Sequence, residues 1–465
     1  MSRHFRVSRR GFVQRVMLAG GAAGVPAVLP ASALGRANAV APSNRIVYGL
    51  IGCGGHGVGW NLPQIFRCPD AQVVAVCDVD EKRMLHAQQV VDSHYSKVLG
   101  KTYRGCRTHA DFRDLINRRD IDVIANCTPD HWHVLPAIMA AKCGKDVICE
   151  KPLTLFVAEG RILCDVIEKT QRIFQTASEN RSIDTYIRLI ELVRNGRIGQ
   201  LRHIEVMLPV GITSRGENFT QRDVQPVPKG FNYDMWLGQA PWAPYCPARC
   251  HGSFRWNLDY SGGTLTDWGA HLIDLAQWGN DTEHTGPVEV QGKGDFPPRD
   301  ALFNVTPTFD LLYRYANGVT MRVRSEKPGI RFEGTDGWIG FENWRGPLRA
   351  SNPKILQSEI GPNEIHLDRP SEVVARTDGA KGGEHRNFID CVKSRKPCYA
   401  PAEIGHRTVT IAHIGNIAMM LGRKLRWDPQ RERFVDDPEA DKLLSRTQRA
   451  PWTIGHVDSW IGKPA

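Results

Sequence analysis

Asp267, His271 and Asp274 stand at i, i+4 and i+7 in a stretch that reads as helical after Gly262-Gly263, so all three share one face. Leu272, Leu275 and Ala276 turn the other way, toward a core. Histidine is the side chain that exchanges a proton near neutral pH, and a carboxylate one turn away can orient its ring and favour the protonated form. A second chemical residue stands far off in the chain. Lys151, in Cys149-Glu150-Lys151-Pro152, follows an apolar run at what reads as the carboxyl end of a buried strand, and Pro152 fixes the turn behind it. Solvation alone explains a lysine there poorly.

The elements that must hold Lys151 alternate. Residues 46–51 form an apolar run that ends in Gly52-Cys53-Gly54-Gly55-His56-Gly57. A G-x-G-x-x-G loop after a strand lets backbone approach a pyrophosphate and aims a helix N-terminus at its charge. Asp78 ends a second buried-type strand 21 residues after Gly57, where a carboxylate accepts from ribose hydroxyls and repels a ribose phosphate. That favours NAD over NADP, although Lys82 and Arg83 lie near. Pro63 implies a short or kinked first helix. Helical segments at 112–118 and 137–142 lead to strands at 123–127 and 147–149, the alternation of a doubly wound parallel sheet. Ligands of such sheets sit at the strands' carboxyl ends, so Thr128, Pro129, His133 and Glu150 join the glycines, His56, Asp78 and Lys151 as candidate cofactor contacts.

The chain's 465 residues exceed one ordinary core, which predicts two domains plus terminal segments. Six arginines and no acid fall within residues 1–39, so subtracting six from the net charge of +10 leaves +4 and no case for a nucleic-acid partner. Ser8-Arg9-Arg10-Gly11-Phe12, the apolar run 16–29 and Ala37-Asn38-Ala39 are arranged as a twin-arginine export signal, with Ala31-Ser32-Ala33 as a second cleavage site. The expectation is a periplasmic or exported protein with no membrane span in the mature chain. The cysteines form neither a disulfide framework nor a zinc site, although Cys246 and Cys250 leave room for a surface disulfide. No metal is expected.

Together GCGGHG, CDVD, TPDHWH, CEKP, SGGTLTDWGAHLIDLAQW at 261–278 and EIGHRTVTIAHIGNIAMMLGRKLRWD at 403–428 resemble the glucose-fructose oxidoreductase and inositol dehydrogenase family, Gfo/Idh/MocA. The resemblance implies a Rossmann α/β domain followed by an α+β domain on a large, open, mostly antiparallel sheet that often mediates homo-oligomers, here a dimer or tetramer. It divides the chain into the signal 1–39, an NAD domain 40–160, a substrate domain 161–427 and a tail 428–465 lying over the surface. Strands at 201–208 and hairpins turning at Asn317-Gly318 and Asp336-Gly337 suit that sheet.

The resemblance also implies a nicotinamide cofactor and a sugar or cyclitol substrate. Oxidation of its hydroxyl needs a base while hydride leaves. His271 fits the base, Asp267 its orienting partner, and Lys151 bonds the reacting oxygen. Asp274, Arg255, Trp256 and Tyr260 are expected against the sugar, and Asn180, in a motif with Glu and Asn where glutamines are expected, near the cofactor. Two other functions compete with a net redox enzyme: a glycosidase working by transient oxidation and elimination, and a sugar-binding protein without catalysis.

Overall fold

The computed structural model describes residues 40–41, 44–213, 219–369 and 383–463. The expected export signal, residues 1–39, lies outside them. Six parallel strands come first in the chain: β1 (Ile46–Ile51), β2 (Ala71–Cys77), β3 (Arg107–His109), β4 (Val123–Asn126), β5 (Asp146–Cys149) and β6 (Phe174–Thr176). Their order is β3-β2-β1-β4-β5-β6, so the chain reverses direction of travel between β1 and β4. Register puts Ile51 beside Cys77 and Asn126, and Asn126 beside Cys149. The residues that follow, Gly52, Asp78, Cys127 and Glu150, therefore line one edge of the sheet. The parallel sheet runs on to Thr176, past the boundary expected at residue 160, because β6 extends the β5 edge.

The kink implied by Pro63 is present. Gly57–Asn61 forms a π-helical turn in which the Leu62 amide donates to the Gly57 carbonyl, and Leu62–Phe66 continues as α-helix. The wider turn precedes a proline that has no N–H to give.

Nine strands form the second sheet: β7 (Leu201–Leu208), β8 (Pro287–Gly294), β9 (Phe309–Tyr315), β10 (Thr320–Ser325), β11 (Gly329–Gly334), β12 (Trp338–Phe341), β13 (Arg349–Ala350), β14 (Leu425–Asp428) and β15 (Arg433–Phe434). The order is β13-β12-β11-β7-β10-β9-β8-β14-β15, antiparallel at every step except β7 beside β10. Along β9, Phe309, Leu311, Tyr313 and Tyr315 are buried while Asp310, Leu312 and Arg314 are exposed, the period-two pattern of a sheet covered on one face. Helices Asp184–Arg194, Gly269–Gly279 and Ala402–Leu421 contribute to the core on that face. Ala402–Leu421 also packs on Val157–Thr170, which ties it to the cofactor half.

Residues after 428 are more than a loose tail. β15 pairs with β14, and Trp452, Val457 and Trp460 are buried in the cofactor-half core. All twelve cysteines are free thiols, and Cys246 and Cys250 are buried, so the disulfide their spacing left open does not form. Among the described residues no helix is long and apolar enough to cross a membrane.

Candidate active site

A cavity of about 510 Å³ opens along the carboxyl edge of the parallel sheet. Gly52, Gly54, Gly55, His56, Asp78, Thr128, Pro129, Glu150 and Lys151 line it from the cofactor half, and Arg255, Asp267 and His271 from the other. Two stretches remote in sequence thus meet.

The glycine loop is shaped for a dinucleotide. Gly52 has φ +93°, and a Cβ there would lie 2.4 Å from the Cys127 carbonyl oxygen, so only glycine fits. A Cβ on Gly57 would meet the Gly52 carbonyl oxygen at 2.1 Å, which keeps the loop folded tightly on the helix start. At Gly55 nothing lies within 4 Å of the same position. That open backbone faces the cavity. The Asp78 carboxylate accepts from the Cys53 amide (2.7 Å) and the Asp80 amide (2.9 Å), which fixes it at the cavity wall. Burial pushes this carboxyl up to about 6, against those two amides. Loop, open glycine and carboxylate together fit the pyrophosphate and ribose of a dinucleotide.

Lys151 follows β5, and its peptide bond to Pro152 is cis. Its Nζ donates to Asp267 Oδ1 (2.7 Å) and to the Asp267 carbonyl (3.0 Å). Arg255 Nε lies 3.6 Å from Asp267 Oδ2. Burial favours the neutral acid, but Lys151 and Arg255 outweigh it and hold the Asp267 carboxyl far below the usual range. Among the described residues the His271 ring nitrogen Nδ1 donates to no carboxylate, and the Lys151 ammonium donates to Asp267 Oδ1 instead. His271 Nδ1 is buried with no hydrogen-bond partner among the described residues. Burial and the Lys151 cation hold the ring well below its ordinary pKa, so it is neutral; Asp267 acts toward the protonated form, as its spacing implied, but is outweighed.

On the cofactor side, His56 Nε2 lies 3.0 Å from Glu150 Oε1, and the Asn61 amide donates to the same oxygen at 2.7 Å. Burial pushes the Glu150 carboxyl up, but His56 and Asn61 hold it at about 2. Glu150 thereby connects the glycine loop to the strand end that carries Lys151.

Several expected contacts stand elsewhere. Both Asp274 oxygens accept from Arg181 at 2.8 Å, in a fully buried pair, so Asp274 anchors its helix and does not face the cavity. Trp256 is buried among Ala248, Phe303 and Val305, and donates to the Thr213 carbonyl. Tyr260 packs on Trp236 and His131. Both are core residues, since an aromatic-rich loop buries most of its rings in itself. His133 is also off the wall: its ring nitrogens lie 2.7 Å from the Pro152 carbonyl oxygen and 2.9 Å from that of Thr128, which joins two strand-end loops. Asn180 donates to the His271 carbonyl (3.1 Å) and so positions the helix rather than a cofactor.

The wall has aromatic members, Trp236 and Phe254 from the same aromatic-rich stretch as Trp256 and Tyr260, and Trp268 and Trp344, which the sequence did not single out. Trp344 lies 5.3 Å from both the Trp268 and His271 rings. Glu179, which the sequence placed in the polar motif near the cofactor without a role of its own, also lines the wall, closely following β6 as Glu150 follows β5.

A parallel sheet in this order, with its glycine loop where the strand order reverses and a polar cluster facing it, defines a dinucleotide-binding protein. Residues 46–178 match the oxidoreductase family's NAD-binding Rossmann fold, and 188–357 with 369–454 its C-terminal alpha/beta domain. The chain belongs to the Gfo/Idh/MocA oxidoreductase family. It is 30% identical over 162 residues to "Glycosyl hydrolase family 109 protein 2" of Shewanella sp. (strain ANA-3), a match that spans 35% of each chain. It is 26% identical over 333 residues to the uncharacterized oxidoreductase YrbE of Bacillus subtilis, covering 70% of this chain and 80% of that one. In fold it is similar to the aldose-aldose oxidoreductase of Caulobacter crescentus, with TM-score 0.57 at 18% identity over 82% of this chain and 99% of that one.

Proposed function

We propose that this protein oxidises a hydroxyl of a saccharide or cyclitol with a tightly held NAD. The observation that carries the reading is the Lys151, Asp267 and His271 cluster on the same cavity as the glycine loop. When bound, NAD supplies the nicotinamide that takes or returns the hydride. Gly54, Gly55, His56 and Asp78 are the residues that would hold it. Asp267 occupies two donors of the Lys151 ammonium, and its third is available to the substrate's oxygen. There the ammonium stabilises negative charge that develops as the proton leaves. His271, held neutral, presents a ring nitrogen able to accept that proton. Arg255 backs Asp267 and keeps the carboxylate ionised.

A second reading keeps the same residues. The stretch shared with glycosyl hydrolase family 109 relatives fits a redox-neutral glycosidase as well; in that reading transient oxidation enables elimination and cleavage before the hydride returns. A sugar-binding protein without catalysis is disfavoured by the assembled cluster. The twin-arginine stretch supports export, which makes a resident cofactor useful where no soluble NAD pool is expected, and the broad second sheet supports a homo-oligomer. Mass analysis of products from a panel of glycosides and free sugars tests the reading. Loss of two hydrogens from a sugar indicates net oxidation, and bond cleavage without that loss indicates the glycosidase. Neither product, from protein that retains NAD through gel filtration, would refute both.

A further inference from the structure

One polar group of the cavity wall has no part in the mechanism above. Glu179 begins the short turn Glu179–Ser182 after β6, and its residue is only 8% exposed. It shares the wall with Lys151 and His271, and the next residue, Asn180, donates to the His271 carbonyl, so Glu179 is fixed relative to the helix that carries His271. Arg345 Nη2 stands 4.0 Å away, beyond hydrogen-bond reach.

The charged groups facing Glu179 come from four other parts of the fold. They are Glu150 and Lys151 at the end of β5, His56 from the glycine loop, Arg345 from the segment after β12, and Glu384 from helix Glu384–Ser394. Burial pushes the Glu179 carboxyl up, Lys151 brings it down, and Glu150 raises it again, leaving it above the ordinary range. Glu150 is set the other way, at about 2, by His56 and Asn61. Two carboxyls in one site with proton affinities driven apart divide the roles between a permanent anion and a group that changes charge. His271 can take a proton and pass it on but does not keep it, because burial and Lys151 disfavour its cation.

Resting on the oxidoreductase reading, we propose that the Glu179 carboxylate is where the substrate's hydroxyl proton comes to rest. In the forward step the substrate O–H bond breaks as its proton goes to the His271 ring, which passes a proton on, so that an O–H bond to Glu179 forms and His271 ends neutral. Bound NAD would take the electron pair of the adjacent C–H bond as hydride, and the carbon would become a carbonyl. Return of the hydride reverses each transfer, with Glu179 giving the proton back. Glu179 must be ionised for the forward step, so oxidation rises with pH through its titration.

The test uses the NAD-loaded protein and the Glu179→Gln and Glu179→Asp variants. Glu179→Gln is expected to lower kcat by about 100-fold or more, as loss of a general base does, with KM and bound NAD little changed and the acidic limb of the pH profile gone. Glu179→Asp is expected to retain part of the rate with that limb displaced. Parental kcat in Glu179→Gln, or an unchanged acidic limb, would overturn the proposal. Infrared difference spectra of the cofactor-free protein separate this outcome from failure of the functional reading. A carboxyl C=O band that titrates above the ordinary glutamate range and is missing from Glu179→Gln supports it even if no sugar is turned over. Identical spectra for parent and variant overturn it even if the parent oxidises sugars.

Discussion

Lys151 draws two acceptors from the single residue Asp267, and its charge helps to set the state of both Asp267 and His271. The ammonium keeps Asp267 ionised inside the protein and adds to the burial that keeps His271 neutral. Removing the lysine should therefore change more than a contact with substrate. In Lys151→Ala the His271 ring loses a nearby cation while Asp267 stays, so it should titrate at higher pH than in the parent, which NMR of the ring protons measures. An unchanged His271 titration would show that the two side chains do not sense each other. The same variant should lower kcat by roughly 100- to 1000-fold, the order found when a preorganised charge-stabilising donor is deleted, with NAD still bound. His271→Ala is expected to do likewise, and full turnover in either would remove that residue from the mechanism.

The helix Gly269–Gly279 presents His271 to the cavity because its other polar anchor faces away from it. Arg181 is buried, pairs with Asp274 and Glu283, and stacks over Trp278 at 4.7 Å. Asp274→Ala leaves that guanidinium short of one partner, and breaking a buried pair from one side costs about 3–5 kcal/mol. A clear fall in Tm is expected for Asp274→Ala, with activity at low temperature less affected than in His271→Ala. Unchanged Tm would mean the pair anchors nothing. The helical character of the stretch that carries Asp267, His271 and Asp274 was legible from spacing, but its division into Thr264–Asp267 and Gly269–Gly279, and which of the three reach the cavity, were not. That outcome depends on Arg181, which lies 93 residues before Asp274 in the chain. The parallel sheet, the glycine loop, β7 and both hairpins were legible because periodicity and turn residues are local. Trp256 and Tyr260 failed as sugar contacts for the converse reason. An aromatic loop does not announce which rings pack on each other, and here Trp236 and Phe254 reached the wall instead.

At the scale of the whole molecule, buried ionisable groups pull stability in opposite directions with pH. Asp70 and Glu403 are both held at about 2, with burial raising each and Arg386 and Lys393, or Arg161 and Arg407, lowering it further. Their folded-state values lie below the unfolded ones, so the stability they contribute is present above the usual carboxylate range and is lost as pH falls toward 2. Glu159 is raised by burial to about 7, so its contribution is present in acid and is lost as pH rises through 7. The cofactor-free protein should therefore be most stable at about pH 5, where Asp70 and Glu403 are ionised and Glu159 still holds much of its proton, and should lose stability as pH rises toward 7. Thermal melts across pH check this, and a Tm that climbs steadily through pH 8 would contradict it.

The cavity joins both halves of the molecule, and its central claim is that Lys151 and His271 carry a sugar hydroxyl's oxidation by a resident NAD. The most direct measurement mixes the purified, NAD-loaded protein with single saccharides and cyclitols and follows reduced nicotinamide by its near-ultraviolet absorbance. At least one substrate is predicted to give up to one reduced cofactor per site, with no signal from Lys151→Ala. If no substrate in a broad panel produces reduced cofactor, or Lys151→Ala matches the parent, the account is wrong.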